Sequence, residues 1–177
     1  SCQREDIIVP GIDDTTEGAV ERVYETGTQL TVEQQSEDKV LLEIMTDKDL
    51  LAIWLYVEYL DDKLVVPEGE YTIDDSNDYW SVIAADGSLG KTFYATHDGE
   101  YFTSFYFLVG GTVQIKHVDG QLHFEVNGYN SYDVPVRIMY APTSTGITDI
   151  EGVHKGCRKE IRDGRLVIHR EGTAYNV

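Results

Sequence analysis

The stretch GGTVQIKHVDGQLHFEVN at residues 110–127 constrains this chain more than any other. Asp119-Gly120 is a strong turn signal, because a two-residue type I′ turn needs positive φ at both central positions, where glycine is unstrained and aspartate is tolerated. With these residues as the turn, Val118 faces Gln121, His117 faces Leu122, Ile115 faces Phe124 and Val113 faces Val126. The apolar residues then share one face, and Gln114, Lys116, His123 and Glu125 share the other. A slip of one residue would turn every apolar side chain to the wrong face, so turn chemistry and alternation specify one register. His117 falls on the apolar face, where a hydrogen-bonded interior histidine is expected rather than a metal ligand.

The remainder reads in the same way. Runs rich in Val, Ile, Thr and aromatic residues recur at 20–24, 29–33, 39–45, 51–60, 64–66, 70–73, 79–85, 91–96, 101–109 and 132–140, separated by Gly, Asp, Asn and Ser. The segment DLLAIWLYVEYL at 49–60 also fits helical spacing, but its alternation and its β-branched and aromatic content favour a strand buried on both faces. Pro135 cannot donate a ladder hydrogen bond, which predicts an edge position or a bulge for the last strand. About ten strands at this spacing predict an all-β fold, an antiparallel β-sandwich or a closed barrel.

Residues 1–19 read as a spacer, with a short strand at 7–9, and 20–140 as the β domain. A Pro/Thr/Ser/Gly-rich linker follows at 141–155. Residues 156–177 form a small β-meander, with turns at Asp163-Gly164 and Glu171-Gly172 and with Ile161, Leu166, Ile168, Tyr175 and Val177 on one face. Such a meander is too short to be stable alone and is expected to dock.

Fourteen Lys and Arg against 32 Asp and Glu give a net charge of -18. Nucleic acid and anionic lipid surfaces are therefore excluded as partners. Six of the basic and five of the acidic residues lie in 149–177, so residues 1–148 carry eight basic and 27 acidic residues. No apolar run approaches the roughly 20 residues that span a bilayer. Ser1-Cys2 followed by Gln3-Arg4-Glu5-Asp6 looks like the end of a bacterial lipoprotein signal, with Cys2 lipidated, so membrane contact is expected only through that anchor. A Cys2–Cys157 disulfide is the alternative.

Signals for chemistry are sparse. There is no Gly-x-Ser-x-Gly elbow, and His97, His117, His123, His154 and His169 lack metal-ligand spacing. Cys157 lies in the appended tail. No catalytic residue is assigned and no cofactor is expected. Asp74, Asp75 and Asp78, in the run Asp74-Asp75-Ser76-Asn77-Asp78, offer oxygen ligands for Ca²⁺ but lack the glycine and distant glutamate of an EF-hand, and the same residue types make ordinary turns. In 101–107 both strand faces carry rings: Tyr101, Phe105 and Phe107 alternate with Phe102 and Tyr106. One set can fill a core, while the other must meet a second sheet, the tail or a ligand. Tyr79 and Trp80, with Tyr129 and Tyr132 in the loop after the hairpin, are the candidate ligand contacts.

The run LVVPEGEYT at 64–72, an aromatic-rich middle and then Gly110-Gly111-Thr112-Val113 resemble a group of surface lipoproteins of Gram-negative gut and oral anaerobes. Pro142-Thr143, Gly146-Ile147 and Ile161-x-Asp163-Gly164-x-Leu166-x-Ile168-x-Arg170-x-Gly172-x-x-Tyr175-Asn176 are similar to C-terminal segments of exported proteins from the same bacteria, some of which act as sorting signals. The resemblance implies a jelly-roll-like sandwich or calycin-like barrel, in the cell envelope on an outer-membrane lipid anchor or secreted. It implies a non-catalytic, adhesion-type binding module whose partner is an extracellular glycan or protein. A secreted protease inhibitor or pro-domain-like module is the alternative, and a glycosidase using paired carboxylates is the least favoured reading.

Overall fold

A computed structural model describes residues 13–85 and 91–143, together with the backbone of four short strands between 150 and 176. Cys2, the strand expected at 7–9 and Cys157 lie outside the described residues.

Among the described residues there is no helix, and the chain is all β. The strands are β1 (Val20–Tyr24), β2 (Leu30–Ser36), β3 (Lys39–Met45), β4 (Asp49–Tyr56), β5 (Gly69–Asp74), β6 (Ser81–Ile83), β7 (Phe93–His97), β8 (Phe102–Phe107), β9 (Gly110–Val118), β10 (Gln121–Tyr129), β11 (Pro135–Tyr140) and β12 (Ile150–Glu151). They form one sheet in the order β1-β11-β10-β9-β5-β6-β4-β3-β2-β12, with β7 pairing β4 and β8 pairing β7. Pairing is antiparallel except for β1 with β11, β5 with β6 and β12 with β2, so the sheet is mixed.

The 110–127 hairpin forms in the expected register, from Gln121↔Val118 through Val126↔Val113. Asp119 and Gly120 both take the positive φ that the turn demands, +51° and +79°.

β4 organises the sheet around itself. β3 occupies one whole edge, and the other edge is shared, with Asp49–Ala52 paired to β7 and Leu55 and Tyr56 paired to β6. At this fork the Trp54 N–H donates to Thr92 Oγ1 at 3.1 Å. β4 is buried on both faces, as expected, but ends at Tyr56 rather than at residue 60.

The sheet curls into a half-barrel and packs on itself. Its inner face holds Leu51, Ile53 and Leu55 against Val113, Ile115, Phe124, Val126, Ile138 and Tyr140. Alternate residues Leu41, Leu50, Ala52 and Trp54 form a second cluster with Phe93, Ala95, Phe105 and Phe107 on the opposite face. Both ring sets of β8 are therefore packed: Phe105 and Phe107 stack at 5.4 Å in the second cluster, and Tyr106 lies 6.0 Å from Tyr94 against the first. Simple alternation misplaces Phe102. A register shift at Thr96/His97 turns it to Phe105, at 4.6 Å, and leaves Tyr101 exposed.

Two further expectations are corrected. β11 is an interior strand, flanked by β1 and β10, and Pro135 is its first residue, one position before pairing to β1 begins at Val136. A missing N–H costs no ladder bond there. The expected strand at 64–66 is irregular, with Leu64 at φ +56°. Thr15 N–H donates to the Phe105 carbonyl at 2.9 Å, and β12 pairs with β2.

The curl is closed by a buried polar cluster. Arg22 Nε of β1 donates to Asp49 Oδ2 of β4 at 2.6 Å, and Tyr94 donates to the same oxygen at 2.9 Å. Thr46 Oγ1 donates to Asp49 Oδ1, and the Arg22 guanidinium lies 4.3 Å above the Tyr24 ring. The tail forms a separate three-stranded sheet, β13 (Arg158–Arg162), β14 (Arg165–Arg170) and β15 (Thr173–Asn176), in the register its turns predict, with Ile161↔Leu166 and Ile168↔Tyr175.

Candidate functional site

Two loops meet at one end of the sheet: 57–68, between β4 and β5, and 75–80, between β5 and β6. They carry four of the exposed large apolar side chains, Tyr59, Val65, Tyr79 and Trp80.

Trp80 is the pivot. Its φ is +68°, a conformation rare for a bulky side chain. Two backbone bonds hold it there: Trp80 N–H donates to the Tyr56 carbonyl at 3.0 Å, and Thr72 N–H donates to the Trp80 carbonyl at 3.0 Å. The residue is thus bolted between β4 and β5, which offsets a strain of order 1–3 kcal/mol. Its ring lies where a side chain on Gly69 would stand, since a Cβ there would come within 2.8 Å of the indole. One side of the ring leans on Tyr71, with centroids 5.0 Å apart, while 37% of the residue stays open to solvent. Its Nε1–H points to Glu58 Oε2 at 3.4 Å.

The loop that carries Glu58 and Tyr59 is tied down from the hairpin. His117 Nε2–H donates to the Val66 carbonyl at 2.6 Å, and His117 N–H donates to Glu68 Oε1 at 2.6 Å. Tyr71 Oη donates to the Pro67 carbonyl at 2.7 Å, and Asp61 Oδ1 accepts from Lys63 and Val65 N–H within its own turn. His117 is hydrogen-bonded as expected but half-buried at the rim rather than interior, and its bonds position this loop. Burial pushes the Tyr71 hydroxyl pKa well above the ordinary tyrosine value, so it stays a donor.

The four aromatic candidates do not share a surface. Gly69, beneath Trp80, pairs with Ile115, whereas Tyr129 pairs with Gly110 and its ring covers that glycine. Those rows are five residues apart on β9, roughly 17 Å. Tyr71, beside Trp80, points into the core, while Tyr129 points to the outer face of β10. Tyr132 is exposed in a loop ordered by buried Asn130, whose Oδ1 accepts from Tyr132 and Val134 N–H at 3.0 and 2.9 Å. Glu58 stands at the edge of the Trp80 ring, and exposed Tyr59 follows it in the same loop. They were missed because they follow an apolar run that reads as continuous strand.

The carboxylates expected to suit calcium are dispersed. Asp74 Oδ1 accepts from Ser76 N–H and Oγ at 3.1 and 2.7 Å, and the Asp78 carbonyl accepts from Ser81 Oγ at 2.6 Å, which is turn chemistry. Asp74 and Asp75 line a cavity of about 500 Å³ beside the sheet fork with Asn77, Ile83 and Lys91, but Asp78 does not. Among the described residues no three His, Cys, Asp or Glu side chains converge to hold a metal. The rings of His97 and His117 both bond backbone carbonyls, those of Thr46 and Val66.

No protein-family model, no curated protein and no solved structure matches this chain. Its class is defined by the fold alone, an all-β half-barrel with a forked central strand.

Proposed function

We propose that this protein is a non-catalytic binding module of the bacterial cell envelope, lipid-anchored through Cys2 or secreted, that engages an extracellular glycan or protein. The observation that carries this reading is the exposed Trp80 ring, held by a strained backbone between two loops that also carry exposed Tyr59 and Tyr79. A soluble domain of this size has enough core to bury three such rings. Exposed aromatics on braced loops, with a carboxylate in reach, suit recognition.

The test is binding of the purified chain to immobilised glycans and extracellular matrix proteins, beside Trp80→Ala and Tyr132→Ala. A ligand lost with Trp80→Ala and kept with Tyr132→Ala is expected. Retention of every ligand by Trp80→Ala would overturn the assignment of this surface.

A further inference from the structure

The Trp80 surface lies in a strongly negative setting. Loops 57–68 and 75–80 contain Glu58, Asp61, Asp62, Glu68, Asp75 and Asp78 against one basic residue, Lys63. Asp61 spends a carboxylate oxygen on its own turn, and Glu68 spends one on the hairpin. Glu58 instead faces the indole edge.

We propose that this surface binds an organic cation, and specifically the guanidinium of an arginine on an extended segment of an extracellular protein, seated on the solvent side of the Trp80 ring. The proposal rests on the reading above that this surface is the ligand contact, and it names the chemistry. Tryptophan offers the most electron-rich face among the side chains, and a guanidinium stacks flat on it while its edge donates to a carboxylate. Glu58 supplies that carboxylate at the ring's edge, and exposed Tyr59 and Tyr79 lie on the same two loops. The chain already makes such contacts internally, with Arg22 over Tyr24 at 4.3 Å and Lys39 over Trp54 at 5.6 Å. Charge complementarity selects against the alternatives. An anionic glycan meets six carboxylates, and a neutral sugar gains nothing from the field that surrounds the ring.

The experiment is a titration of the full chain at near-physiological salt with acetyl-Gly-Arg-Gly-Arg-Gly-amide and its citrulline counterpart, which keeps the shape and removes the charge. Affinities of all forms, including those that lack Trp80, are read by calorimetry, and in the parent chain, where Trp54 is buried and Trp80 half-exposed, a change in emission reports Trp80. Trp80→Phe is expected to keep affinity within a few-fold, Trp80→Leu to lose roughly 5- to 30-fold, and the citrulline peptide to bind at least as weakly. Glu58→Gln lies in an exposed loop, leaves the packing intact and is expected to weaken binding several-fold. Melting temperatures of all variants check that loss of affinity is not loss of fold. Equal affinity of Trp80→Leu would show diffuse attraction to a chain of charge -18 and overturn the proposal. Equal binding of the citrulline peptide would overturn it as well. Failure of the arginine peptide, alongside a neutral glycan that binds in a Trp80-dependent way, would overturn the cation while leaving the aromatic surface as the contact. No Trp80-dependent binding of any probe would overturn both.

Discussion

Gly110 and Gly111 stand side by side in the sequence and have different reasons to be glycine. Gly111 has φ +112°, and a Cβ there would lie 2.1 Å from the Asn127 carbonyl oxygen, a backbone atom that cannot move without opening the β9–β10 ladder. A Cβ on Gly110 meets only the Tyr129 ring, which is partly in solvent and can swing away. Gly111→Ala is therefore expected to cost on the order of 2 kcal/mol or more in urea denaturation, and Gly110→Ala clearly less. Asp49 poses the matching problem in charge, because it is 1% exposed and takes its ionic partner from across the curl. Arg22→Ala strands a buried carboxylate. The remaining Tyr94 and Thr46 hydroxyls solvate it in part, so a loss of about 3 kcal/mol is expected, at the lower end for a broken buried pair. Arg22→Met, which also leaves Asp49 unpaired, should not recover that loss. A full recovery would mean that the stem's packing, not the charge, was what mattered.

The elements are legible in the sequence where alternation and turn chemistry act together, as in β9 and β10, and are lost where a contact made far away ends a strand. Nothing in residues 51–60 announces that pairing stops at Tyr56. Its last backbone bonds are long-range ones, Val57 N–H to the Asp38 carbonyl and Trp80 N–H to the Tyr56 carbonyl, and the second of these partners is 24 positions away. Asp14 is invisible in the same way, reading as half of an acidic pair in a spacer. In the fold its Oδ1 accepts from Phe107 N–H and Asn130 Nδ2, and its Oδ2 from Ser131 N–H and Oγ, which ties the outer edge of β8 to the 130–134 loop. Asp14→Ala should take this acceptor from Phe107 N–H and Ser131, while Asn130 Nδ2 keeps the Thr15 carbonyl, and cost about 1–3 kcal/mol. Amide exchange at Phe107 and Ser131 is expected to accelerate more than exchange at Ile115, and uniform acceleration would show that the strap has no local role.

At the scale of the molecule, the curl buries hydroxyls that the sequence leaves as anonymous tyrosines. Tyr24, Tyr71 and Tyr94 all have pKa values raised by burial, with the negative charge of Asp49 adding to the effect at Tyr24 and Tyr94. A raised pKa in the folded state means that stability is complete below the unfolded value of 10.0 and falls as pH climbs past it, because only the unfolded chain can release those protons. Denaturation midpoints should be flat with respect to this group up to about pH 10 and then drop, by up to roughly 1.4 kcal/mol per pH unit for each tyrosine. Tyr71→Phe should shallow that slope; an unchanged slope would place the effect on other residues.

The amino-acid sequence by itself determined the class of fold, the hairpin register and the double burial of β4, because each depends on neighbours within a few residues or on the two-residue period of a strand. It also carried the residues Tyr79 and Trp80. Only the tertiary structure decided that Pro135 lies inside the sheet, that the second ring set of β8 has its own cluster, and that Trp80 belongs with Glu58 rather than with Tyr129 and Tyr132. Those outcomes turn on which strands become neighbours when the sheet forks at β4 and curls, and such long-range pairing leaves no periodic mark on the sequence.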